Sequence, residues 1–403
     1  MKKYDELEEV CRQYTEISKY YIDDFLINFC ADHENLEEIF EKKISPYRSI
    51  VRKFPLGWDR YLLSQYIAFR LFKKDGFAKK YLSHPALRIF GENEYNLFRI
   101  YAEFSWRFVY CVIQNHPAPN FFTMIDVFTN ESFLLYSPSI EKIIKSKNVS
   151  LFFLLLSYNG MCYVTYGLII DFQSLETSDI YFYARQLDPT LRNSNDVPAV
   201  IERNPIPFAL LHIGSETPPI YKDNSKIVLN RLIFTGEFFS PTDHSKAFII
   251  KKRDQVYRLY SREMQGFPHF ASVTYKPNKK QITLTSLTDQ GYKKLANYFE
   301  DLGYTLPTEN RERVSPLMIN LIKEILGYEI NFFPYDKDVT LDESPKEQGD
   351  REKIQKFIDK IMNDFNQGID PDIEVYAKEC ELDLETALSI TNKIIDILED
   401  MIS

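Results

Sequence analysis

Eight side chains, Lys251, Lys252, Arg253, Arg258, Arg262, Lys276, Lys279 and Lys280, are the chain's clearest candidates for holding a polyanion. They lie in residues 246–293, which carry ten basic and three acidic residues, a balance of +7 inside a chain of net charge −9. Tyr257, Tyr260, Phe267, Phe270 and Tyr275 are interleaved with them. Clustered cations neutralise phosphates and aromatic faces stack bases, so this segment is the candidate nucleic-acid-binding region. The competing account is a solvated hairpin face with the rings buried beneath it.

Catalytic chemistry has no comparable concentration. The six histidines, His33, His84, His116, His212, His244 and His269, show neither HxxxH nor HExxH spacing. No metal and no cofactor is expected. His212, in FALLHIG, could serve as a base at a strand end. As a folding element it would be a half-buried imidazole satisfied by one backbone carbonyl. His116 precedes Pro117 in what reads as a helix-ending turn. Asp126, Glu131 and Asp171 could converge as general acid and base if their environments separated their pKa values; otherwise they are exposed turn residues. GxxxxGK[ST], GxGxxG and GxSxG are absent, and only 13 glycines are present to build phosphate-cradling loops.

Cys11, Cys30, Cys111, Cys162 and Cys380 form no CxxC, and their number is odd. Buried free thiols in a reducing compartment are expected, not a disulfide scaffold. Residues 371–403 hold nine acidic and two basic residues, a net of −7. Two short helices flanking Cys380-Glu381-Leu382 suggest a helix-turn-helix, but that charge would repel DNA. A docking surface for a basic partner or for the basic segment of the same chain, or a helical bundle with a solvated face, fits better.

The elements that must position these groups read as α+β. The composition, 44% hydrophobic and 27% charged over 403 residues, is that of a globular protein with two or three domains. Residues 1–119 are expected to be a helical domain. One stripe is Leu7, Val10, Tyr14, Ile17, Tyr21 and Phe25; residues 58–73 and 92–114 repeat the period, the latter through Leu97, Tyr101, Phe104, Phe108 and Val112. Arg99, Glu103 and Arg107 stack at i,i+4 in that helix. Residues 120–172 are expected to be a small β barrel-like unit of short strands. The apolar stretch Leu151–Ile170 is split by Asn159-Gly160, which marks a hairpin and not a membrane span.

Residues 173–335 read as a mixed α+β domain. Strands are expected at Ala247–Ile250, Phe270–Tyr275 and Gln281–Thr285, while 226–234 fits neither period cleanly. Thr288 should cap a helix with the stripe Tyr292, Leu295, Phe299 and Leu302, closed by Gly303. Ser315-Pro316 should open another, closed by Gly327. Both helices are expected on one face of the sheet. Residues 336–350 read as a linker. Residues 351–403 read as a helical tail with the stripes Ile354, Phe357, Ile358, Ile361, Phe365 and Leu384, Leu388, Ile395, Leu398; Asp383 is the cap of the second.

These features favour a non-enzymatic protein-interaction or adaptor role. Nucleic-acid binding through 246–293 is the first alternative and a hydrolase with a dispersed polar site the second. The expected partner is protein, with nucleic acid as the alternative and no membrane. MKKYDELEEV lacks an apolar run behind its lysines, so a cytoplasmic location is expected.

Overall fold

The computed structural model describes residues 2–25, 29–236, 239–253, 255–264 and 270–332, and beyond them 353–354, 356–361, 364, 371–384, 386–388 and 390–391. The chain divides into two units, Met1–Phe332 and Phe333–Ser403. The expected linker 336–350, together with Asp254, Phe267, His269, Phe365, Ile395 and Leu398, lies outside the described residues.

The first unit is α+β and opens with helices Lys2–Ile17, Leu36–Ile44, Trp58–Phe72 and Glu92–Glu103. The first apolar stripe needs a correction. Leu7 and Phe25 are buried, but Tyr21 is 49% exposed, and Cys11, Ser18 and Ile22 are buried in the stripe's place. The buried line Leu7, Cys11, Ser18, Ile22 and Phe25 keeps a helical spacing of its own, and a π-helical turn lies within it at Ser18–Ile22.

The helix expected over 92–114 ends at Glu103, and strand β1 runs Arg107–Ala118. Arg99 still meets Glu103 at 3.6 Å, whereas Arg107 pairs with Glu131 at 2.6 Å. Phe108, Val109, Tyr110 and Cys111 are buried in succession because both faces of the strand are covered. A run that apolar satisfies helical and strand spacing alike. His116-Pro117 accordingly lies near the end of β1 and not in a helix-ending turn.

β1 belongs to a closed barrel with β2 (Phe121–Asp126), β3 (Ser132–Tyr136), β4 (Leu151–Tyr158) and β5 (Tyr163–Phe172), in the order β1-β2-β3-β5-β4. One apolar cluster takes in Val109 and Cys111 of β1, Phe122 and Met124 of β2, Phe133 and Leu135 of β3, and Phe152, Leu154 and Leu156 of β4. Ile140, on the Pro138–Ser146 helix capped by Ser137, joins them. The β4–β5 connection is the hairpin expected at Asn159-Gly160, with Gly160 at φ +95°. Among the described residues no helix is long and apolar enough to cross a membrane.

After helices Thr177–Leu187, Val197–Arg203 and Pro205–Leu210 comes a two-residue ladder of β6 (Tyr221–Lys222) and β7 (Ser225–Lys226). The second sheet contains β8 (Leu229–Thr235), β9 (Phe248–Arg253), β10 (Val256–Ser261), β11 (Ala271–Lys276), β12 (Gln281–Ser286) and β13 (Glu312–Val314), ordered β13-β8-β12-β11-β10-β9. Leu232, Phe234, Leu259, Val273, Ile282 and Leu284 cover one face and pack on Tyr292, Leu295 and Phe299 of the Asp289–Asp301 helix. Thr288 accepts the Gly291 N–H at 3.1 Å and caps that helix; Leu302, expected in the stripe, is 44% exposed.

The Pro316–Leu326 helix, capped by Ser315, does not sit beside it on the sheet core. It packs against the Thr177–Leu187 helix and the Leu211–Gly214 turn. A Cβ on Gly214 would come within 2.9 Å of Leu321. In the second unit Phe357, Ile361, Ala377, Cys380 and Ala387 form a small cluster. Asp383 accepts the Thr386 N–H at 2.8 Å. The buried line there runs through Ala387 and Thr391, while Leu384 and Leu388 are each 43% exposed.

Candidate cationic sheet edge

The register of the second sheet decides where the eight basic candidates go. Residues paired directly across strands share a face. Lys251 of β9 lies opposite Arg258 of β10, which lies opposite Thr274 of β11. Arg253 lies opposite Val256, and extending the β10–β11 register by one residue brings Lys276 into the same row. Lys251, Arg253, Arg258 and Lys276 therefore occupy one corner of the face that points away from the Asp289–Asp301 helix. Lys279 and Lys280 follow in the β11–β12 turn at the same end, with Lys280 left-handed at φ +48°.

Two candidates separate from this group. Lys252 projects to the helix side, over the Tyr257 ring at 5.1 Å. Arg262 stands past the opposite end of β10, and its Nε donates to the Ser245 carbonyl at 3.0 Å.

The corner is charged by construction. Neighbouring strands lie about 4.8 Å apart, so Lys251 and Arg258 face each other as like charges, an arrangement that costs stability. Lys251, Lys252 and Arg253 are exposed, as are Lys279 and Lys280. Among the described residues the interleaved rings are only partly open to a ligand. Tyr275 is buried in the sheet core, and Lys251 and Lys252 lie over the Tyr260 and Tyr257 rings.

The candidate carboxylates do not converge. Asp126, Cys111, Phe152 and Asp171 follow one another in a single cross-strand row, so two strands separate the acids. Both are buried, in contrast to the exposed turn residues expected. Asp126 accepts the N–H groups of Phe128 and Thr129 at 2.9 and 3.2 Å and shapes the turn. Glu131 holds Arg107, and Asp171 holds Lys147 at 2.8 Å.

His212 stacks on Phe54 and Trp58, with ring centroids 5.5 and 6.0 Å away. Its Nδ1 has no hydrogen-bond partner among the described residues, so the expected carbonyl contact is not made. Burial lowers its pKa, which disfavours the charged ring. His116 pairs with Glu141 at 2.8 Å and stacks on Phe122. Among the described residues no three His, Cys, Asp or Glu side chains gather as a metal site.

One charged site had no signal in the sequence. A cavity of about 290 Å³ is lined by Tyr181, Arg185, Leu191, Arg192, Arg231, Ile233, Glu309, Asn310 and Glu312. Arg185 and Arg231 both reach Glu312, at 3.3 and 2.6 Å. Its three guanidinium groups come from positions spread over more than forty residues, with no common spacing.

No family model, curated protein or solved structure matches this chain.

Proposed function

We propose that this chain is a non-enzymatic interaction protein that takes an acidic, extended polypeptide segment along the outer edge of β9. The observation that carries this reading is the coincidence of two features on one strand. β9 is the last strand of its sheet, and among the described residues no strand pairs with its outer side. The same strand ends in the exposed cations Lys251, Lys252 and Arg253. A strand added to such an edge gains affinity from main-chain hydrogen bonds, and side chains select the partner. Cations on the edge repel a second copy of themselves and attract an acidic strand.

Fluorescence anisotropy with a labelled peptide alternating Glu and Val tests the reading. Binding on the order of micromolar is expected at low salt. It should be lost in the K251E/K252E/R253E variant and weakened when alternate peptide nitrogens are methylated, which removes strand pairing without changing charge. Binding indifferent to both changes rules the edge out.

The clustering of Lys276, Lys279 and Lys280 at the same end of the sheet favours nucleic acid as a second reading. It uses charge alone. A mobility shift with duplex DNA and single-stranded RNA separates the two. Tighter binding to nucleic acid than to the peptide, with a steep salt dependence, selects the second reading.

A further inference from the structure

Cys11 and Cys162 stand 151 residues apart in the chain, yet their sulfurs are 3.4 Å from each other. Cys11 lies on the Lys2–Ile17 helix and Cys162 in the turn between β4 and β5. Both are buried in a small cluster with Leu7, Phe121 and Tyr136. Apart from this cluster the helix is tied to the barrel region by Glu8, which accepts from Asn120 at 3.0 Å.

A polar side chain is aimed at the two sulfurs. Asn159 is 1% exposed, and its Oδ1 accepts the backbone N–H groups of Met161 and Cys162 at 3.0 and 2.9 Å. Those two donors fix the orientation of the amide. Its Nδ2 therefore faces the pair and donates to the Cys11 sulfur at 3.4 Å, with the Cys162 sulfur 3.9 Å away. Hydrogen bonds donated to a sulfur favour its thiolate. The Cys162 thiol and, behind it, the Asn159 amide lower the Cys11 pKa against the opposing effect of burial. The hydrogen bond with Cys11 and burial raise that of Cys162. The shorter Asn159 contact, 3.4 Å to Cys11 against 3.9 Å to Cys162, marks Cys11 as the attacking thiol and Cys162 as the resolving one. By contrast, burial pushes the Cys30 thiol up to about 12 and holds Cys111 well above its ordinary value.

We propose that Cys11 and Cys162 are a redox site at which a peroxide forms an intramolecular disulfide, fastening the N-terminal helix to the barrel hairpin. The Cys11 thiolate attacks one peroxide oxygen. The O–O bond breaks, and the departing hydroxide takes a proton and leaves as water. Cys11 becomes a sulfenic acid. The Cys162 sulfur then attacks the Cys11 sulfur, the S–O bond breaks, and the second oxygen leaves as water with the Cys162 proton. Two thiols and one hydrogen peroxide give one disulfide and two waters; the sulfurs lose two electrons and the peroxide gains them. Peroxide is close to water in size, which suits a pair closed to larger oxidants. The sulfurs need to approach by about 1.4 Å to bond.

The test is oxidation of the folded full-length protein with a small excess of hydrogen peroxide, followed by alkylation under denaturing conditions and peptide mapping. The wild type should drop from five titratable thiols to three and lose two hydrogens in mass. A single cross-linked peptide should join Cys11 to Cys162, and a thiol reductant should reverse the change. Proteolysis within residues 2–17 should then slow several-fold. In Cys162→Ser, the Cys11 sulfenic acid should persist long enough to be trapped by a dione reagent. In Cys11→Ser, no cross-link should form. Five unchanged thiols in the wild type, a sulfinic acid on Cys11, or a disulfide between two molecules would each overturn the proposal.

Discussion

The side-chain amide of Gln65 spans Gly167, donating to the carbonyls on either side of it, Tyr166 at 2.9 Å and Leu168 at 3.1 Å. Gln65 is 2% exposed on the Trp58–Phe72 helix. Gly167 sits at φ +71° in β5, within the register shift against β4. A Cβ there would lie 3.1 Å from Gln65 Cβ and Cγ. The bulge in β5 and the docking of a helix on the barrel are thus one feature.

Gly167→Ala should therefore destabilise the first unit by about 2–3 kcal/mol, through a strained positive φ and a clash with Gln65. Gln65→Ala should cost about 1–3 kcal/mol by leaving two carbonyls without their donor. The double variant should cost less than the sum, because the residues share one contact. Urea denaturation of the four proteins measures each term, and strict additivity would show that the amide and the glycine act independently.

Arg313 joins two helix starts. Its guanidinium reaches Asp289, at the first turn of the Asp289–Asp301 helix, at 2.9 Å, and also Glu176, the N-cap of the Thr177–Leu187 helix. The arginine side chain is 22% exposed. Arg313→Ala should cost about 2–3 kcal/mol, below the range for fully buried pairs. Arg313→Lys should recover little of it, because one ammonium cannot replace a planar fork that spans two carboxylates. Equal midpoints for Lys and Arg would contradict the bridging role.

Asp179 provides a pH test. Its carboxylate accepts the Ser315 N–H at 2.6 Å and the Glu176 N–H at 2.8 Å, yet burial raises its pKa to about 6. The folded state thus binds the proton more tightly than the unfolded chain, whose value is near 3.8. The resulting stability is complete below the unfolded pKa and is lost as pH rises through the folded one. Compared with Asp179→Asn, the wild type should gain about 1 kcal/mol between pH 7 and pH 5. Glu176 and Asp289 have the opposite sign: their pKa values are lowered in spite of burial, Glu176 chiefly by Lys226 and Asp289 chiefly by Arg313. Their contribution is lost only as pH falls through those depressed values. Parallel denaturation midpoints for wild type and Asp179→Asn across pH 5–7 would refute the assignment.

Thr288→Ala removes the cap of the Asp289–Asp301 helix and should lower stability by about 1 kcal/mol. Thr288→Ser, which keeps the acceptor oxygen, should restore most of it. Thermal unfolding measures both, and equal losses in the two variants would assign the effect to packing of the Thr288 methyl instead of the cap.

Signals that act within a few residues were legible in the chain itself. Thr288 and Ser315 cap the helices they precede, Gly303 and Gly327 close theirs at positive φ, and Asn159-Gly160 turns the barrel hairpin. Capping and turn geometry are decided by neighbouring atoms, so residue type suffices. The α+β character and the presence of a small barrel followed from the same local patterns. The strand at Arg107–Ala118 was not legible, because a run buried on both faces carries no period to read. Nor was the burial of Cys11, Ser18 and Ile22 in place of Tyr21, which is set by what the first helix packs against. Strand order and register alone brought Lys251, Arg253, Arg258 and Lys276 to one corner and kept Asp126 from Asp171. The meeting of Cys11 with Cys162 likewise required the whole barrel to close beneath the first helix. Local chemistry names the pieces; which distant side chains become neighbours is settled by how the closed sheet and its helices share one core.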